Sequence, residues 1–180
     1  MGRRKTIDRD QILDAAEQIV TKRGAGGLTI DAVAKAVGIT KGGVQYSFST
    51  KDALIEAMFE RWGKAYDDLF QSIAGDDPKP VAAVSAHVET TLRLDDAANA
   101  KAASMMAALL QTPEHLGSTR DWYRSRIAGL DLSTREGRQA RLAFLATEGA
   151  FMLRFFGLMD IGHEEWEGMF HDIAAAAKAG

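Results

Sequence analysis

The sequence predicts an all-α protein, and three observations carry that prediction. Only three prolines occur among 180 residues, whereas alanine, leucine and methionine, which favour helices, are frequent. Apolar side chains recur at spacings of three and four residues. Short breaks that contain glycine or proline separate these periodic segments. Together the breaks predict nine helices, in a chain long enough for one or two domains with a good core.

The first three predicted helices are short and well capped. Asp8 can cap the first helix, and Gly24 followed by the pair Gly26-Gly27 ends it. Thr29 caps the second helix, Gly38 supplies a tight turn, and Thr40 caps a third helix that runs to Ser47. The apolar positions that should face the core are Ile12, Ala15, Ala16, Ile19, Val20, Val33, Ala34, Val37, Ile39, Val44 and Phe48.

Six further helices are predicted after this N-terminal segment. Ser49 and Asp52 form a capping-box pattern at the start of a long helix, over about residues 51–73. Residues 75–80, GDDPKP, break the chain clearly. The remaining helices are expected over about residues 81–94, 97–111, 114–129, 135–158 and 163–178.

Residues 28–51 have the layout of a helix-turn-helix, whose second helix enters the major groove of DNA. The charge distribution agrees with this. Residues 1–51 carry nine Lys or Arg against five Asp or Glu, a net +4, and residues 52–180 carry thirteen against twenty, a net −7. A basic segment suits phosphate contacts, although a chance fluctuation of surface charge would look the same. We therefore predict a DNA-binding domain over 1–51 and a helical body over 52–180.

Helical phase exposes four residues of the third helix, which are Lys41, Gly42, Gly43 and Gln45. Glycine costs about 1 kcal/mol relative to alanine in a helix, so two together need a reason. We prefer close approach of the backbone to the groove over a weak helix fixed only by packing. Gln45 can read adenine, and Lys41 can contact guanine or phosphate. Tyr46 and Lys51 suit phosphate contacts, Lys51 at the dipole of a helix start.

The first seven residues form a basic N-terminal arm. Arg3 and Arg4 could reach a minor groove or phosphates. An ordinary solvated terminus explains the same residues equally well.

The N-terminal third resembles the DNA-binding domain of the TetR (tetracycline-repressor-like) family of bacterial transcription regulators. The resemblance implies that Thr40, Lys41, Tyr46 and Lys51 contact DNA, and we add Thr29 to this surface. Val20, Gly43, Gln45 and Ser47 depart from the commonest family choices, which puts the operator sequence in doubt and not the fold. The matching positions are Ile12, Leu13, Ala15, Ala16, Gly24, Thr29, Val33, Ala34, Gly38, Ile39, Thr40, Lys41, Gly42, Tyr46, Phe48, Lys51 and Leu54.

The resemblance also implies that the body, 52–180, is a ligand-binding and dimerisation domain. The helix at 135–158 is apolar on two faces, so it needs two partners. A two-fold bundle with the last helix would satisfy this, and a monomer that buries everything internally is the alternative. The predicted dimer interface comprises Leu142, Leu145, Gly149, Phe156, Trp166, Met169, Phe170 and Ile173.

The family resemblance implies a ligand cavity, but its lining is harder to predict. Methionines and aromatic residues line adaptable apolar sites, although each one taken singly is more often plain core. Glu148 interrupts the apolar run LAFLATEGAFML, so its carboxylate must be paired or face a ligand. Arg154, Arg124 or Arg126 could pair with it, and a cationic lipophilic ligand would fit as well. The predicted lining is Met105, Met106, Leu109, Trp122, Glu148, Phe151, Met152 and Phe155.

Our functional prediction is a homodimeric repressor that a small, largely hydrophobic ligand releases from a palindromic operator in double-stranded DNA. A DNA-binding regulator without a small-molecule ligand is the first alternative. The second is a metal-dependent helical enzyme, since His163, Glu167 and His171 are spaced by four residues, but HEEWE is not the HExxH motif. We predict no catalytic residues, no cofactor, no metal and, because no long apolar run occurs, a cytoplasmic protein without a membrane partner.

Overall fold

A computed structural model describes residues 8–110 and 116–178 of the chain. The predicted all-α class is confirmed, and these residues form nine α-helices with one 3-10 turn at Ala25–Gly27. Every one of the nine predicted helices is present. The helices are α1 Arg9–Arg23, α2 Ile30–Val37, α3 Lys41–Ser47, α4 Lys51–Ala74, α5 Pro80–Arg93, α6 Asp96–Leu109, α7 Leu116–Arg126, α8 Arg135–Phe155 and α9 His163–Lys178.

The caps predicted for the first three helices are confirmed. The side chains of Asp8, Thr29 and Thr40 accept hydrogen bonds from backbone N–H groups two or three residues further on. Gly38 has a φ of 74°, in the left-handed region, and its N–H bonds to the carbonyl of Ala34. Glycine adopts this conformation without strain, which explains how the chain turns between α2 and α3.

Several element boundaries differ from the prediction; α7, for example, ends at Arg126 and not at 129, and two other differences have clear local reasons. The cap of α4 is Thr50 and not Ser49, because the Thr50 hydroxyl accepts from the N–H of Ala53 at 3.0 Å. Helix α8 ends at Phe155 and not at Leu158, because Gly157 adopts a φ of 69° and the following N–H groups turn back to α8. Helix α6 ends at Leu109, and its predicted end at 111 and the predicted start of α7 at 114 lie outside the described residues.

The chain divides into two compact units. The first contains the residues up to Gly63 and a segment that starts at Ser104, and the second contains Lys64–Ala103 and the residues from Leu116 onward. The division therefore falls within α4 rather than at residue 51, where we predicted the domain boundary, so the start of α4 is grouped with the three N-terminal helices.

The first unit has a small core that α1, α2, α3 and the start of α4 supply. Its fully buried side chains follow the predicted stripes, and Ala15, Val37 and Ile39 are only half-buried. The fully buried members include Ile12, Leu28, Val33, Val44, Leu54 and Met58.

The second unit is built on α5, α8 and α9, which pack against one another. Trp166 and Phe170 of α9 are 2% and 0% exposed, and with Phe144 of α8 and Val84 of α5 they lie in its main hydrophobic cluster. Helix α7 packs against α5 but contributes no fully buried side chain. Three helices therefore form the core of this unit, and α7 covers it more loosely.

Candidate DNA-binding surface and interior polar cluster

The turn between α2 and α3 forms a compact helix-turn-helix. Val33 of α2 and Val44 of α3 are fully buried, and Phe48, which ends α3, is 2% exposed. Helix α3 has only seven residues, two of them glycine. It is therefore held by these apolar contacts and by the Thr40 cap rather than by its own helix propensity.

The outer face of α3 is open to solvent, as helical phase predicted for Lys41, Gly42 and Gln45. Tyr46 is 90% exposed, the largest exposed fraction among the large hydrophobic side chains described. A Cβ atom built on Gly42 would meet nothing within 4 Å, so packing inside the protein does not require a glycine there. Gly43 is half-buried and donates its N–H to the Thr40 hydroxyl at 3.1 Å.

An ion pair links this face to α2. Lys41 Nζ lies 3.0 Å from Asp31 Oδ2, and both side chains are more than half exposed. The sequence pattern did not predict this pair, although Asp31 precedes Lys41 by only ten residues. A lysine that contacts DNA from this position would exchange the carboxylate for a phosphate or a base. The hydroxyls of Thr29 and Thr40 accept from helix N–H groups, so each keeps its own hydrogen for donation.

The end of α3 is fixed from α1. Arg9 Nη1 donates to the carbonyl of Ser47 at 3.0 Å, and its guanidinium lies 4.3 Å from the centre of the Phe48 ring. Lys51, at the first position of α4, is half-buried. Arg3 and Arg4 lie outside the described residues, so the predicted arm stays a prediction.

A charge network joins α1 to the start of α4. Arg61 lies 2.6 Å from Glu17 and 2.8 Å from Asp14. The Glu17 side chain is 7% exposed, unlike the solvated carboxylates around it. Burial is the largest single influence on the pKa of Arg61 and lowers it, but the hydrogen bonds and charges of Glu17 and Asp14 together outweigh burial, so the pKa is raised. The guanidinium stays charged in any case. No sequence pattern indicated the pairing of Arg61 with Glu17, because the two residues are 44 positions apart.

The second unit contains a buried polar chain of three residues from three helices. Tyr66 Oη of α4 lies 2.6 Å from His87 Nδ1 of α5, and His87 Nε2 lies 2.8 Å from Glu148 Oε1 of α8. The side chains of His87 and Glu148 are 2% and 16% exposed. The carboxylate of Glu148 also contributes to raising the pKa of the Tyr123 hydroxyl on α7. Burial raises the pKa of both Tyr66 and Tyr123, so both hydroxyls keep their hydrogens.

Aromatic rings surround this chain. The ring of His87 lies 5.1 Å from that of Phe144 and 6.1 Å from that of Trp122, and Trp122 lies 5.3 Å from Tyr66 in an edge-to-face arrangement. Arg126 of α7 places its guanidinium 4.5 Å from the centre of the Trp122 ring. We call Tyr66, His87, Trp122, Tyr123, Phe144 and Glu148 the interior cluster.

The expected partners of Glu148 were wrong. Arg154 pairs with Asp96, and Arg126 pairs with Asp67, whereas Glu148 is held by His87. Arg124 is exposed. No sequence pattern indicates a pairing of Glu148 with a histidine 61 residues away. Glu148 and Trp122, both predicted to line a ligand cavity, lie close to the same histidine ring, and the cavity itself stays a prediction.

The other residues predicted to line a cavity are not members of the interior cluster as defined above. Met105, Met106 and Leu109 belong to the first unit, where Met105 and Leu109 are fully buried. Phe151 and Phe155 pack on the edge of the main hydrophobic cluster, with Phe155 stacked edge-on against Trp166 at 5.4 Å. Met152 is 38% exposed and points away from that core.

The residues predicted at a dimer interface divide into two groups. Trp166 and Phe170 belong to the protomer's own core, so they do not offer a surface to a partner. Leu142 and Leu145 are 62% and 55% exposed, and Gly149, Phe156, Met169 and Ile173 are half-buried. The outer apolar positions of α8, namely Leu142, Leu145, Gly149, Met152 and Phe156, alternate spacings of three and four residues. This is the spacing of a seam between two packed helices.

The described residues show nothing that favours a metal enzyme or a membrane span. His163 and Glu167 approach to 3.5 Å on an exposed face, but no group of three or more possible ligands among His, Asp and Glu is present in 8–110 and 116–178. No helix in these residues is both long enough and apolar enough to cross a membrane.

Two family models match the chain. One, described as bacterial regulatory proteins of the tetR family, matches residues 12–58. The other, described as the tetracyclin repressor-like C-terminal domain, matches residues 81–178, more than half of the chain. The protein therefore belongs to the tetracycline-repressor-like family of DNA-binding transcription regulators, as the resemblance predicted. It is a regulator of this family and not an enzyme.

Two curated relatives match part of the chain. The HTH-type transcriptional regulator TtgR of Pseudomonas putida is 30% identical over 69 residues, which span 38% of this chain and 33% of that protein. A probable regulator of the same type from that species, ArpR, matches over the same shares. These matches cover a third of the relatives' length.

Solved structures resemble the whole chain in fold. A transcriptional regulator from Rhodococcus sp. Rha1 has a TM-score of 0.70 at 21% identity, over 93% of this chain and 94% of that one. The fatty acid degradation regulator FadR from Bacillus halodurans has a TM-score of 0.66 at 16% identity, over 99% and 98%. NalD of Pseudomonas aeruginosa, described as the secondary repressor of the MexAB-OprM multidrug efflux pump, has a TM-score of 0.56 at 19% identity, over 93% and 94%.

Proposed function

We propose that this protein is a homodimeric repressor that binds a palindromic operator and is released from it by a small, largely hydrophobic ligand. The observation that carries the proposal is the helix-turn-helix with an open outer face on α3. Family membership supports DNA binding in general, whereas the assignments of operator contacts, dimerisation and ligand response are our own.

On the outer face of α3, only a few side chains are available to contact DNA bases. Gln45 and Lys41 are the exposed side chains able to hydrogen-bond base edges, and Tyr46 projects a hydroxyl at their border. Gly42 lets the backbone approach the groove, because nothing in the protein fills the space beside it. Because so few side chains of α3 can contact bases, we expect phosphate contacts to supply most of the affinity for the operator. Tyr46 and Lys51 are expected to make two of these contacts.

The outer face of α8 supports dimerisation. Leu142, Leu145 and Met152 are large apolar side chains that the protomer leaves exposed in a row. Covering them with the same face of a second copy would bury them in an isologous interface. Two copies would present two α3 helices, which matches the two half-sites of a palindrome.

The loosely covered interior of the second unit supports ligand binding. Helix α7 lies over aromatic and polar side chains without fully burying any of its own. Two proteins of similar fold, FadR and NalD, are described as regulators of fatty acid degradation and of multidrug efflux, processes that handle apolar compounds. By our proposal, a ligand that binds one dimer geometry more tightly than the other releases the operator.

Selection from a randomised DNA duplex library with the purified protein tests the proposal. Enrichment of a palindrome with half-sites about 10 base pairs apart is the expected result. The variant Gln45→Ala should relax the preference at one position of each half-site and should leave binding to unrelated DNA unchanged. Binding that is weak, salt-sensitive and without sequence preference in the native protein would contradict it.

The ligand part of the proposal needs a separate measurement. A thermal-shift screen against apolar compounds should find ligands that raise the melting temperature, because binding to the folded state stabilises it. A compound found in this way should lower the affinity for the selected operator. Operator binding without any stabilising compound would instead favour a regulator that acts without a small-molecule ligand.

A further inference from the structure

One ion pair lies on the outer face of the helix-turn-helix. Lys41, the first residue of α3, is the only charged residue of that helix, and its Nζ lies 3.0 Å from Asp31 Oδ2. Asp31, in the first turn of α2, is the only acidic residue within residues 28–51. The single acidic side chain of the DNA-binding motif therefore neutralises the single charge of the helix that we expect to contact bases.

Folding stability does not account for this pair. The side chains of Lys41 and Asp31 are 55% and 70% exposed, and exposed ion pairs contribute little to the free energy of unfolding. The caps of α2 and α3 do not depend on it either, because the hydroxyls of Thr29 and Thr40 accept from N–H groups of the first turns. A carboxylate on a surface that approaches phosphates is unfavourable for affinity. Its role is therefore to be sought in how the protein selects among DNA contacts.

A base edge can bind Lys41 without disturbing the pair. The ammonium group has three hydrogens, so Lys41 can donate one to Asp31 and still donate to a second acceptor. In the major groove, O6 and N7 of guanine are neutral acceptors that a lysine can contact. When Lys41 contacts guanine, its charge stays balanced by Asp31, and no ion pair has to break.

A phosphate is a different partner for Lys41, because it is an anion. A phosphate that contacts Nζ comes close to the Asp31 carboxylate, which lies 3.0 Å from the same nitrogen, and the two negative charges repel each other. To avoid this repulsion, Lys41 must leave Asp31 without its partner beside the DNA backbone. Asp31 therefore disfavours the phosphate contact and leaves the guanine contact open.

We propose that Asp31 is a positioning residue that determines specificity, because through Lys41 it favours a guanine edge in the operator over the phosphates of unrelated DNA. This inference rests on the proposed operator binding and decides between the two contacts of Lys41 that the sequence left open. Phosphate contacts carry no sequence information, so a lysine that is kept from phosphates adds to specificity rather than to general affinity.

The variant Asp31→Asn tests the proposal, since it removes the charge and keeps the shape of the side chain. Once Lys41 is free to contact phosphates, the affinity for an unrelated duplex should rise about fivefold, and its dependence on salt should steepen by about one phosphate contact. The affinity for the selected operator should change by less than about twofold, so the ratio of operator to unrelated binding should fall. Fluorescence anisotropy at several salt concentrations measures all three quantities.

Glu60→Gln is the matched control. Glu60 is an exposed residue of α4 in the same compact unit, so its replacement changes the net charge equally without touching the pair. It should leave the ratio and the salt slope unchanged. An Asp31→Asn protein whose ratio and slope equal those of Glu60→Gln would overturn the proposal. Thermal melting of both variants measures separately what Asp31 contributes at the positive end of α2.

A second background tests whether Asp31 acts through Lys41. In Lys41→Gln no cation at this position can contact a phosphate, so adding Asp31→Asn should not steepen the salt slope, which depends on the number of such contacts. The same steepening in both backgrounds would show that Lys41 is not the residue involved, and it would overturn the assignment.

Selection from the randomised duplex library identifies the base. The native protein should enrich guanine at one position of each half-site, and Lys41→Gln should lose that preference while keeping the others. Enrichment of the same guanines by Lys41→Gln, or half-sites without a fixed guanine, would contradict the proposed contact.

The native protein separates failure of this inference from failure of the proposed function. Sequence-specific binding by the native protein, together with an unchanged salt slope in Asp31→Asn, overturns the role of Asp31 alone. Absence of sequence-specific binding in the native protein contradicts the proposed function and this inference with it.

Discussion

Replacing Leu142 and Leu145 together by alanine is expected to weaken dimerisation about a thousandfold while leaving the protomer folded. Both side chains lie on the outer face of α8 and are 62% and 55% exposed in the protomer. Because they contribute little to the protomer's own core, their truncation should change its free energy of unfolding only slightly. Their contribution appears only when a second copy covers them.

The magnitude follows from the area that dimerisation would cover. Full burial of a leucine side chain contributes about 2 kcal/mol, and more than half of each side chain is still exposed, which leaves about 1.2 kcal/mol for each. A two-fold interface contains four such side chains, for a total of about 5 kcal/mol. Alanine keeps one methyl group, so about 4 kcal/mol is lost, and 1.4 kcal/mol corresponds to a factor of ten in the dissociation constant.

Sedimentation equilibrium over a range of concentrations measures this change, and thermal melting of the dilute protein measures the protomer. Leu132→Ala is the matched control, since Leu132 is 41% exposed but lies outside α8, before its cap at Thr134. It should leave the dimer unaffected. An unchanged dissociation constant in the double variant would refute the assignment of this face. A double variant that is monomeric because it is unfolded would refute the claim that the two leucines are peripheral to the protomer.

Three further predictions concern the DNA surface and the two cores. The double variant Tyr46→Phe with Lys51→Ala should weaken operator binding and reduce the slope of affinity against salt by about one, measured by fluorescence anisotropy; an unchanged slope would refute the phosphate assignment. Gly137→Ala should destabilise the protein by more than about 1 kcal/mol in urea unfolding, because the new Cβ would lie 2.0 Å from a backbone oxygen. Glu17→Ala should cost about 2 kcal/mol in the same assay, because it removes the charge-assisted hydrogen bond between Glu17 and Arg61 and leaves Arg61 with Asp14 as its remaining close partner.

The N-terminal helices were predictable because their signals are local. A capping side chain and the N–H that it accepts are two or three residues apart, and a glycine that ends a helix acts through its own φ. The predicted caps at Asp8, Thr29 and Thr40 and the predicted turn at Gly38 are therefore present in the structure. The same local logic is ambiguous where two candidates are adjacent, which is why Thr50 rather than its neighbour Ser49 caps α4.

The partners of buried charges could not be predicted, because they come from distant parts of the chain. Glu17 looked like any helix-surface carboxylate, yet it is buried against Arg61, and Glu148 finds His87 across 61 residues. Hydrophobic periodicity says that a side chain needs burial or pairing, but it does not say which helix supplies the partner. The three arginines that we considered as partners are nearer in the sequence than His87, and none of the three holds Glu148.

Hydrophobic periodicity likewise does not show which apolar stripe of a helix faces the protein's own core. Helix α9 has one stripe, and we assigned Trp166 and Phe170 from it to a subunit interface, whereas the protomer buries both in its own core. Helix α8 has two stripes, and here the inference is stronger, because one helix cannot bury two opposite faces against a single neighbour. In the structure, the face of α8 that carries Phe144 is buried, whereas the face that carries Leu142 and Leu145 is exposed.

The two faces of α8 give the proposed ligand response a physical basis. Phe144 and Glu148 point into the interior cluster, and Leu145 and Gly149 lie next to them in the sequence on the side of the proposed seam. A helix backbone is stiff, so a rotation of α8 that improves the contact of its inner face with a bound ligand must also turn the leucines against the second protomer. A ligand too small to reach either α3 helix could therefore change the dimer geometry that an operator requires, provided that its affinity differs between the two rotations of α8.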